Sequence, residues 1–122
     1  MGFTERLHQA LASRAEIEAG EEREQAARSI GATPVGELRD RARATVSGVL
    51  RSVTLRPREG VPALQAELYD GSGSLDLVWL GRRQIQGVEP GRRLRAEGLV
   101  CEVGGRRTVF NPRYELVPRS GE

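Results

Sequence analysis

The sequence predicts an all-β fold: a small barrel of five strands that follows an α-helical extension. Apolar residues recur about four apart up to residue 30, whereas from about Leu38 they alternate with polar ones. Five alternating segments are separated by turns rich in Gly, Pro and Asp. The expected boundaries are 1–37 for the helical extension and linker, 38–117 for the barrel, and 118–122 for a loose tail.

Size and composition exclude several classes of protein. With 122 residues, 38% hydrophobic and 30% charged, the chain supports one domain with a modest core and no large cofactor cavity. No apolar run approaches the roughly 20 residues that span a bilayer, and the start MGFTERLHQAL lacks a signal-peptide core. One cysteine and one histidine supply neither a disulfide nor a metal site. We therefore expect a cytoplasmic protein with no membrane association, cofactor or metal.

The N-terminal segment predicts a helix with a thin apolar stripe. Phe3, Leu7, Leu11 and Ala15 fall four apart, and Gly20 is expected to interrupt the helix before a further turn or two. Because the stripe is mostly alanine beyond this, the helix is expected to lean on the barrel, pair with another chain or fray. The stretch GATPVG (31–36) predicts a linker.

The barrel strands follow in order. Glycines at 48 and 98 predict bulges, by which strands bend around a small barrel. A short helix of one or two turns and a Pro-Gly turn are expected in RRQIQGVEPG (82–91), between the third and fourth strands. The turns DGSGS (70–74) and GG (104–105) connect the second to the third strand and the fourth to the fifth. The five strand segments are RARATVSGVLRSVTLRPR, ALQAELYD, SLDLVWLG, RRLRAEGLVCEV and RRTVFNPRYELV.

Five strands in this order match an OB fold, the five-stranded Greek-key barrel, although periodicity alone also permits an SH3-like barrel or a small sandwich. Three motifs decide between them: LYDGSGSLDLVW (68–79), PGRRLRAEG (90–98) and NPRYE (111–115). In this order they resemble the wedge OB domain of RecG-type branch-migration helicases and, more loosely, the anticodon-binding OB domains of aminoacyl-tRNA synthetases. The resemblance covers residues 42–117. It implies a free-standing OB barrel that binds nucleic acid.

The chain departs from those helicases because it has no motor. It contains no G-x-x-x-x-G-K-[ST] motif and no lysine, so no P-loop exists within it. Catalysis is not expected either, because His8 and Cys101 are far apart in the sequence and Cys101 is expected in the core. Asp70 is expected to form its turn and Asp76 to face solvent.

Charge indicates the binding chemistry. All nineteen basic residues are arginines, whose planar fork binds phosphate and stacks on bases. Residues 1–30 hold six Glu and four Arg, whereas 82–113 hold eight Arg and three Glu. Tyr69 is expected on the outer face of the second strand and Phe110 in the core. Trp79 alternates in phase with Leu75 and Leu77, which favours burial. The alternative is that Trp79 is exposed at the end of the third strand, where it could stack on a base. The candidate nucleic-acid-binding residues are Arg56, Arg58, Tyr69, Trp79, Arg82, Arg83, Arg92, Arg93, Arg106 and Arg107.

The sequence thus predicts a non-enzymatic OB-fold protein that binds nucleic acid through Arg–phosphate contacts and limited base stacking. The resemblance favours single-stranded or branched DNA, with RNA or tRNA as the alternative ligand. A protein-interaction adaptor, or a homodimer formed through the acidic N-terminal helix, is the alternative from another class. In a third hypothesis the acidic helix folds over the basic barrel and competes with the ligand.

Overall fold

The computed structural model describes residues 2–119, with only the backbone at Phe3. Within that range one α-helix, α1 (Phe3–Ala27), and a 3-10 turn (Val35–Glu37) precede seven strands. The side chain of Phe3, expected to pack on the helix, and residues 120–122 of the expected tail lie outside the described part. The strands are β1 (Arg43–Leu55), β2 (Ala63–Tyr69), β3 (Ser74–Leu80), β4 (Arg93–Leu99), β5 (Cys101–Val103), β6 (Arg106–Phe110) and β7 (Arg113–Leu116).

The seven described strands form one sheet that closes on itself. Their order is β5-β6-β3-β2-β1-β4-β7, with β3 and β6 parallel and the other neighbours antiparallel. Only Val100 separates β4 from β5, and Asn111-Pro112 separates β6 from β7. The paired strands β4 and β7 lie at one edge of the sheet, and the paired strands β5 and β6 lie at the other. The short connections between these two pairs therefore bring the two edges together and close the sheet into a barrel. The OB fold is confirmed, with the fourth and fifth predicted strands each divided in two.

The fifth strand divides at a proline that cannot donate to a sheet ladder. Asn111 precedes it with a φ of 49°. Its backbone N–H donates to the Val78 carbonyl at 2.6 Å, and its side-chain oxygen accepts from the Leu80 N–H at 2.9 Å. Asn111 thus ends the β6 pairing with β3 and allows β7 to cross to β4.

The prediction of bulges at the two strand glycines was wrong. The β1–β4 register runs unbroken through Gly48 and Gly98, and the irregularity in β1 lies between Leu50 and Ser52. Both glycines instead allow atoms of another strand to lie very close to their backbone. A Cβ at Gly48 would lie 2.4 Å from the Tyr69 carbonyl oxygen, and one at Gly98 would lie 2.5 Å from Val109 Cγ1.

The ends of the barrel are closed by segments outside the strands. Ile85 and Val88 are buried in the loop between β3 and β4 and join the core cluster. This loop contains turns instead of the predicted short helix. Gly87, in the middle of the predicted helix, has a φ of 82°, outside the helical region. At the other end Val35 is fully buried in the same core cluster, so the predicted linker supplies a core residue.

The carboxylate of Asp70 stabilises the end of the barrel at which Val35 is buried. It accepts hydrogen bonds from the Val35 N–H at 2.8 Å, the Ser72 N–H at 2.9 Å and the Gly73 N–H at 3.2 Å. The Ser72 hydroxyl donates to it as well, at 2.7 Å. Asp70 forms its turn as predicted, and it also anchors the segment that leads from α1 into β1.

Helix α1 continues through Gly20 without the predicted interruption. A glycine inside a helix costs about 1 kcal/mol and does not by itself end it. Arg23 near its C-terminal end donates to the Gly71 carbonyl at 2.9 Å, which holds that end against the β2–β3 turn. Residues 4–18 are exposed throughout. Within residues 2–119, no helix is long and apolar enough to cross a membrane.

We expect Gly48→Ala to lower the free energy of unfolding by about 2 kcal/mol, because the new methyl group must displace the backbone of Tyr69. Urea unfolding followed by fluorescence of the single tryptophan measures this. Gly20→Ala is the matched control, since its new Cβ meets only Arg23 Nη2, at 3.9 Å. It should leave stability unchanged or raise it by up to about 1 kcal/mol. Equal effects of the two substitutions would contradict the close approach at Gly48.

Candidate functional site

The outer face of β2, β3 and β6 presents a continuous row of side chains. Alternation on β2 turns Gln65, Glu67 and Tyr69 outward, away from the buried Leu64, Ala66 and Leu68. The register places Glu67 opposite Asp76, and Asp76 beside Thr108. Arg106 and Phe110 share the parity of Thr108. In OB folds the face of the second and third strands, with its flanking loops, is where oligonucleotides bind.

The centre of this outer face is a closed ion-pair cluster. Arg106 donates from Nε to Asp76 Oδ2 at 2.7 Å and from Nη2 to Asp76 Oδ1 at 2.9 Å. The same Nη2 reaches Glu67 Oε2 at 3.2 Å. The hydrogen bond that Arg106 donates to Asp76, with the charges of both carboxylates, raises the pKa of Arg106 above its ordinary value. Arg106 is therefore engaged, and the expectation that Asp76 faces solvent was wrong, because the residue is 5% exposed.

One end of the outer face carries a cation–aromatic pair. The guanidinium carbon of Arg51 lies 3.3 Å from the centre of the Tyr69 ring. Arg51 is the residue at the β1 irregularity, and such an extra residue can re-aim a side chain. Tyr69 lies on the outer face and is half-buried under this arginine. This end of the outer face therefore presents the guanidinium of Arg51 together with the Tyr69 ring.

The other end carries a second pair beside an open recess. The guanidinium carbon of Arg58 lies 5.3 Å from the centre of the Phe110 ring, and Arg58 Nη2 donates to Gln65 at 3.4 Å. Glu59, Val61 and Leu80 complete the lining of a recess of about 590 Å³. The expectation that Phe110 packs in the core was wrong, since it is only half-buried and lies outside the core cluster.

Three further arginines lie in the loops after β1 and β3, within three residues of Arg58 or Leu80 in the sequence. The Gly81 N–H donates to the Pro62 carbonyl at 2.7 Å, which joins the loop after β1 to the loop after β3. Arg56 begins the first of these loops, and Arg82 and Arg83 begin the second. All three side chains are exposed, and among residues 2–119 none has a hydrogen bond or ion pair. We call Arg56, Arg58, Arg82, Arg83 and Phe110 the rim cluster.

The remaining predicted residues lie elsewhere. Arg92 is 8% exposed in the loop before β4, and Arg93 is paired with Glu22 of α1. Arg107 is half-buried, beside a separate recess that is lined also by Ser74 and Glu102. Of the eight predicted arginines, four thus lie in the loops after β1 and β3, and Arg106 and Arg107 line the other recess together.

Trp79 must be removed from the predicted site. It is 5% exposed and lies in the core cluster, with its ring edge-on to Tyr114 at 5.6 Å between centres. A buried indole has no free face for a base. Its parity with Leu75 and Leu77 had favoured burial, and the structure agrees with that parity.

Sequence reasoning missed Arg51 and Phe110. A signal for Phe110 was present, because Val109 and Phe110 are neighbours on one strand and cannot both point inward. Val109 is buried, so Phe110 lies outside. No comparable signal marked Arg51, since the irregularity of β1 depends on its pairing with β2.

The single histidine and the single cysteine of the chain lie on different elements. His8 is exposed on α1, and Cys101 is half-buried on β5 outside the core cluster where it was expected. Among residues 2–119 no three His, Cys, Asp or Glu side chains are grouped to hold a metal ion. What this surface offers is planar cations and an aromatic ring, which bind by stacking and by pairing with anions.

Comparison with solved structures supports the fold. The chain superposes on RecG bound to a three-way DNA junction with a TM-score of 0.58 and 22% sequence identity. This match covers 73% of the chain and 13% of RecG, so the chain spans about an eighth of that protein. The resemblance predicted from the three motifs is thereby confirmed at the level of the fold.

Two smaller proteins match as well. The replication factor A related protein from Methanobacterium thermoautotrophicum gives a TM-score of 0.53 at 15% identity, over 70% of this chain and 90% of that one. The p204 HINb domain gives 0.59 at 13% identity, over 74% of this chain and 49% of that one. No protein-family model matches the chain, and no curated protein is significantly similar to it.

We expect Arg106→Gln to lower the free energy of unfolding by about 1–2 kcal/mol, because it leaves the buried Asp76 carboxylate without its cation. The value stays below that of a fully buried pair because half of the Arg106 side chain is in solvent. Adding Asp76→Asn should restore part of the loss, since a neutral amide costs less to bury than an unpaired carboxylate. Urea unfolding of both variants measures this, and additive losses would contradict it.

Proposed function

We propose that this chain is a non-enzymatic OB-fold module that acts in the cytoplasm and binds nucleic acid, single-stranded or branched DNA ahead of RNA. The observation that supports this proposal most strongly is the rim cluster. Arg56, Arg82 and Arg83 are exposed and have no side-chain partner within residues 2–119, and they lie on the loops that also supply Arg58 and follow Leu80. In the recess between these loops the Arg58 guanidinium and the Phe110 ring offer flat surfaces. Sequence-tolerant binding of single strands needs this combination of phosphate-pairing cations and stacking planes.

The mechanism follows from the chemistry of these groups. Arg56, Arg82 and Arg83 pair with backbone phosphates and release counterions, so affinity falls as salt rises. One base enters the recess and stacks on Phe110 or Arg58, and a second stacks on the Arg51–Tyr69 pair at the other end of the face. The Glu67–Asp76–Arg106 cluster between them makes no favourable contact with phosphate, because its one cation already serves two carboxylates.

The preference for DNA is part of the proposal and has its own support. Of the similar structures, RecG is described in complex with a three-way DNA junction. Binding of labelled single-stranded DNA, junction DNA, duplex DNA and single-stranded RNA of matched length tests the preference. Tighter binding to RNA than to either DNA would replace it with the RNA alternative.

We expect the double substitution Arg82→Gln, Arg83→Gln to weaken binding of single-stranded oligodeoxythymidylate about tenfold at low salt. Since two phosphate contacts are lost, the slope of log K against log salt should become shallower by about 1.4. Fluorescence anisotropy at several salt concentrations measures both. Arg6→Gln with Arg14→Gln, the same charge change on the exposed part of α1, is the control. An equal loss in the control would show that only net charge matters.

We expect Phe110→Leu to weaken the same binding about fivefold while leaving the salt slope unchanged, because it removes a stacking plane and no charge. Tyr114→Leu on β7, an exposed aromatic residue away from the rim cluster, should change the affinity less than twofold beyond any loss of folding. A changed salt slope in Phe110→Leu, or unchanged affinity, would contradict stacking at this ring.

A protein-interaction role for α1 is the second candidate, and one observation favours it. Leu7, Leu11 and Ile17 are 47%, 55% and 62% exposed on the part of the helix that extends into solvent. The second candidate predicts self-association in sedimentation equilibrium that Leu7→Ser with Leu11→Ser abolishes, while nucleic-acid affinity is unchanged. A wild-type monomer at all concentrations would rule out the homodimer.

A further inference from the structure

Two arginines of β4 lie against the C-terminal end of α1. Arg93 donates to both carboxylate oxygens of Glu22, at 2.9 and 2.6 Å. Arg95 Nη1 donates to the Ser29 hydroxyl at 2.7 Å and to the Ile30 carbonyl. Both arginines, with Arg28, line an open groove of about 470 Å³ beside β7. These arginines are separated in sequence from their helix partners by more than 60 residues.

The Arg93–Glu22 pair has the geometry by which arginine holds an anion. Two parallel N–H···O bonds to one planar carboxylate are the arrangement that a phosphate also adopts with a guanidinium. Side chains of the pair are 33% and 19% exposed, so the site is open to solvent and to a competing ligand. Glu22 therefore occupies a site whose shape and charge suit a backbone phosphate.

The helix end that occupies this site is held by polar contacts. In addition to the contacts of Arg93 and Arg95, the side chain of Arg23 donates a hydrogen bond to the Gly71 carbonyl. From residue 4 to residue 27 of the described chain, no side chain is buried. Segments with few buried apolar contacts open at low free energy. The helix end can therefore leave β4 without unfolding the barrel.

We propose that Arg93 and Arg95 form a second phosphate-binding site on β4, which Glu22 occupies until nucleic acid displaces it. This inference rests on the proposed function and deepens it, because α1 then competes with the ligand through one carboxylate. The second site lies on β4 and the rim cluster on the loops beside β1 and β3. A ligand with two arms or a long single strand engages both, whereas a short strand engages the rim cluster alone.

The test is binding of labelled single-stranded oligodeoxythymidylate to the full chain and its variants by fluorescence anisotropy. We expect Glu22→Gln to raise the affinity three- to fivefold, the range that a part-exposed ion pair supports. The salt slope should steepen by about 0.7 for each phosphate added. Glu24→Gln, the same change two residues away on an exposed glutamate, is the matched control and should leave both quantities unchanged.

A second variant isolates the site. Adding Arg93→Gln to Glu22→Gln should cancel the gain, whereas Arg93→Gln alone should change the affinity little because Glu22 already occupies this arginine. Hydrogen exchange of residues 19–30 reports whether the helix end is released. Faster exchange in Glu22→Gln without a gain in affinity would mean that Glu22 only attaches the helix, which overturns the proposal.

The two proposals fail differently. If the wild-type chain binds, and Arg82→Gln with Arg83→Gln weakens it, while Glu22→Gln has the effect of Glu24→Gln, only the second site is overturned. If no variant binds even at low salt, the proposed function is overturned and the second site with it.

Discussion

The carboxylate of Asp70 is the interaction on which the arrangement of this chain depends. It joins the turn between β2 and β3 to the segment before β1, through bonds to the Val35, Ser72 and Gly73 N–H groups. That bond draws Val35 into the core and directs α1 across the turn, where Arg23 bonds Gly71. This position of α1 brings the Glu22 carboxylate within hydrogen-bond distance of Arg93. A residue that serves as an ordinary turn-former in one strand connection thus also determines which arginines of the barrel the helix covers.

Local patterns predicted most of the fold because each strand carries its own period and each turn its own residues. Alternation placed all five strand segments, and the Gly-Gly turn has positive φ at both positions, as a two-residue hairpin requires. The errors concern relations between strands. The sequence predicted bulges at Gly48 and Gly98. In the structure, their lack of a side chain instead leaves room for atoms of β2 beside Gly48 and of β6 beside Gly98. The sequence of a strand does not show which neighbour will approach it.

The site was harder to predict for the same reason. An arginine that is free and one that is paired look identical in the sequence, and the pairing depends on register across the barrel. Arg106 meets Asp76 only because β3 and β6 are parallel neighbours, and Arg93 meets Glu22 only because α1 lies across the turn. Counting arginines in 82–113 therefore included Arg93 and Arg106, which the structure pairs with carboxylates. The pairing, rather than the count, decides which cations are available to a ligand.

A low net charge is compatible with the proposed binding of nucleic acid when some arginines are paired with carboxylates and others are left for a ligand. The two stacking pairs lie about 13 Å apart along β2, measured from Gln65 to Tyr69 at about 3.3 Å per residue. Between them Glu67 and Asp76 disfavour a phosphate, so a backbone that runs straight across the face meets repulsion at its centre. In the proposed complex, a flexible single strand avoids this by turning its bases inward to the stacking planes and its phosphates outward to Arg56, Arg82 and Arg83. A stiff duplex keeps its bases stacked inside and presents its phosphates to the acidic centre. On the proposed function, the carboxylates that hold Arg106 in place therefore favour single strands over duplex.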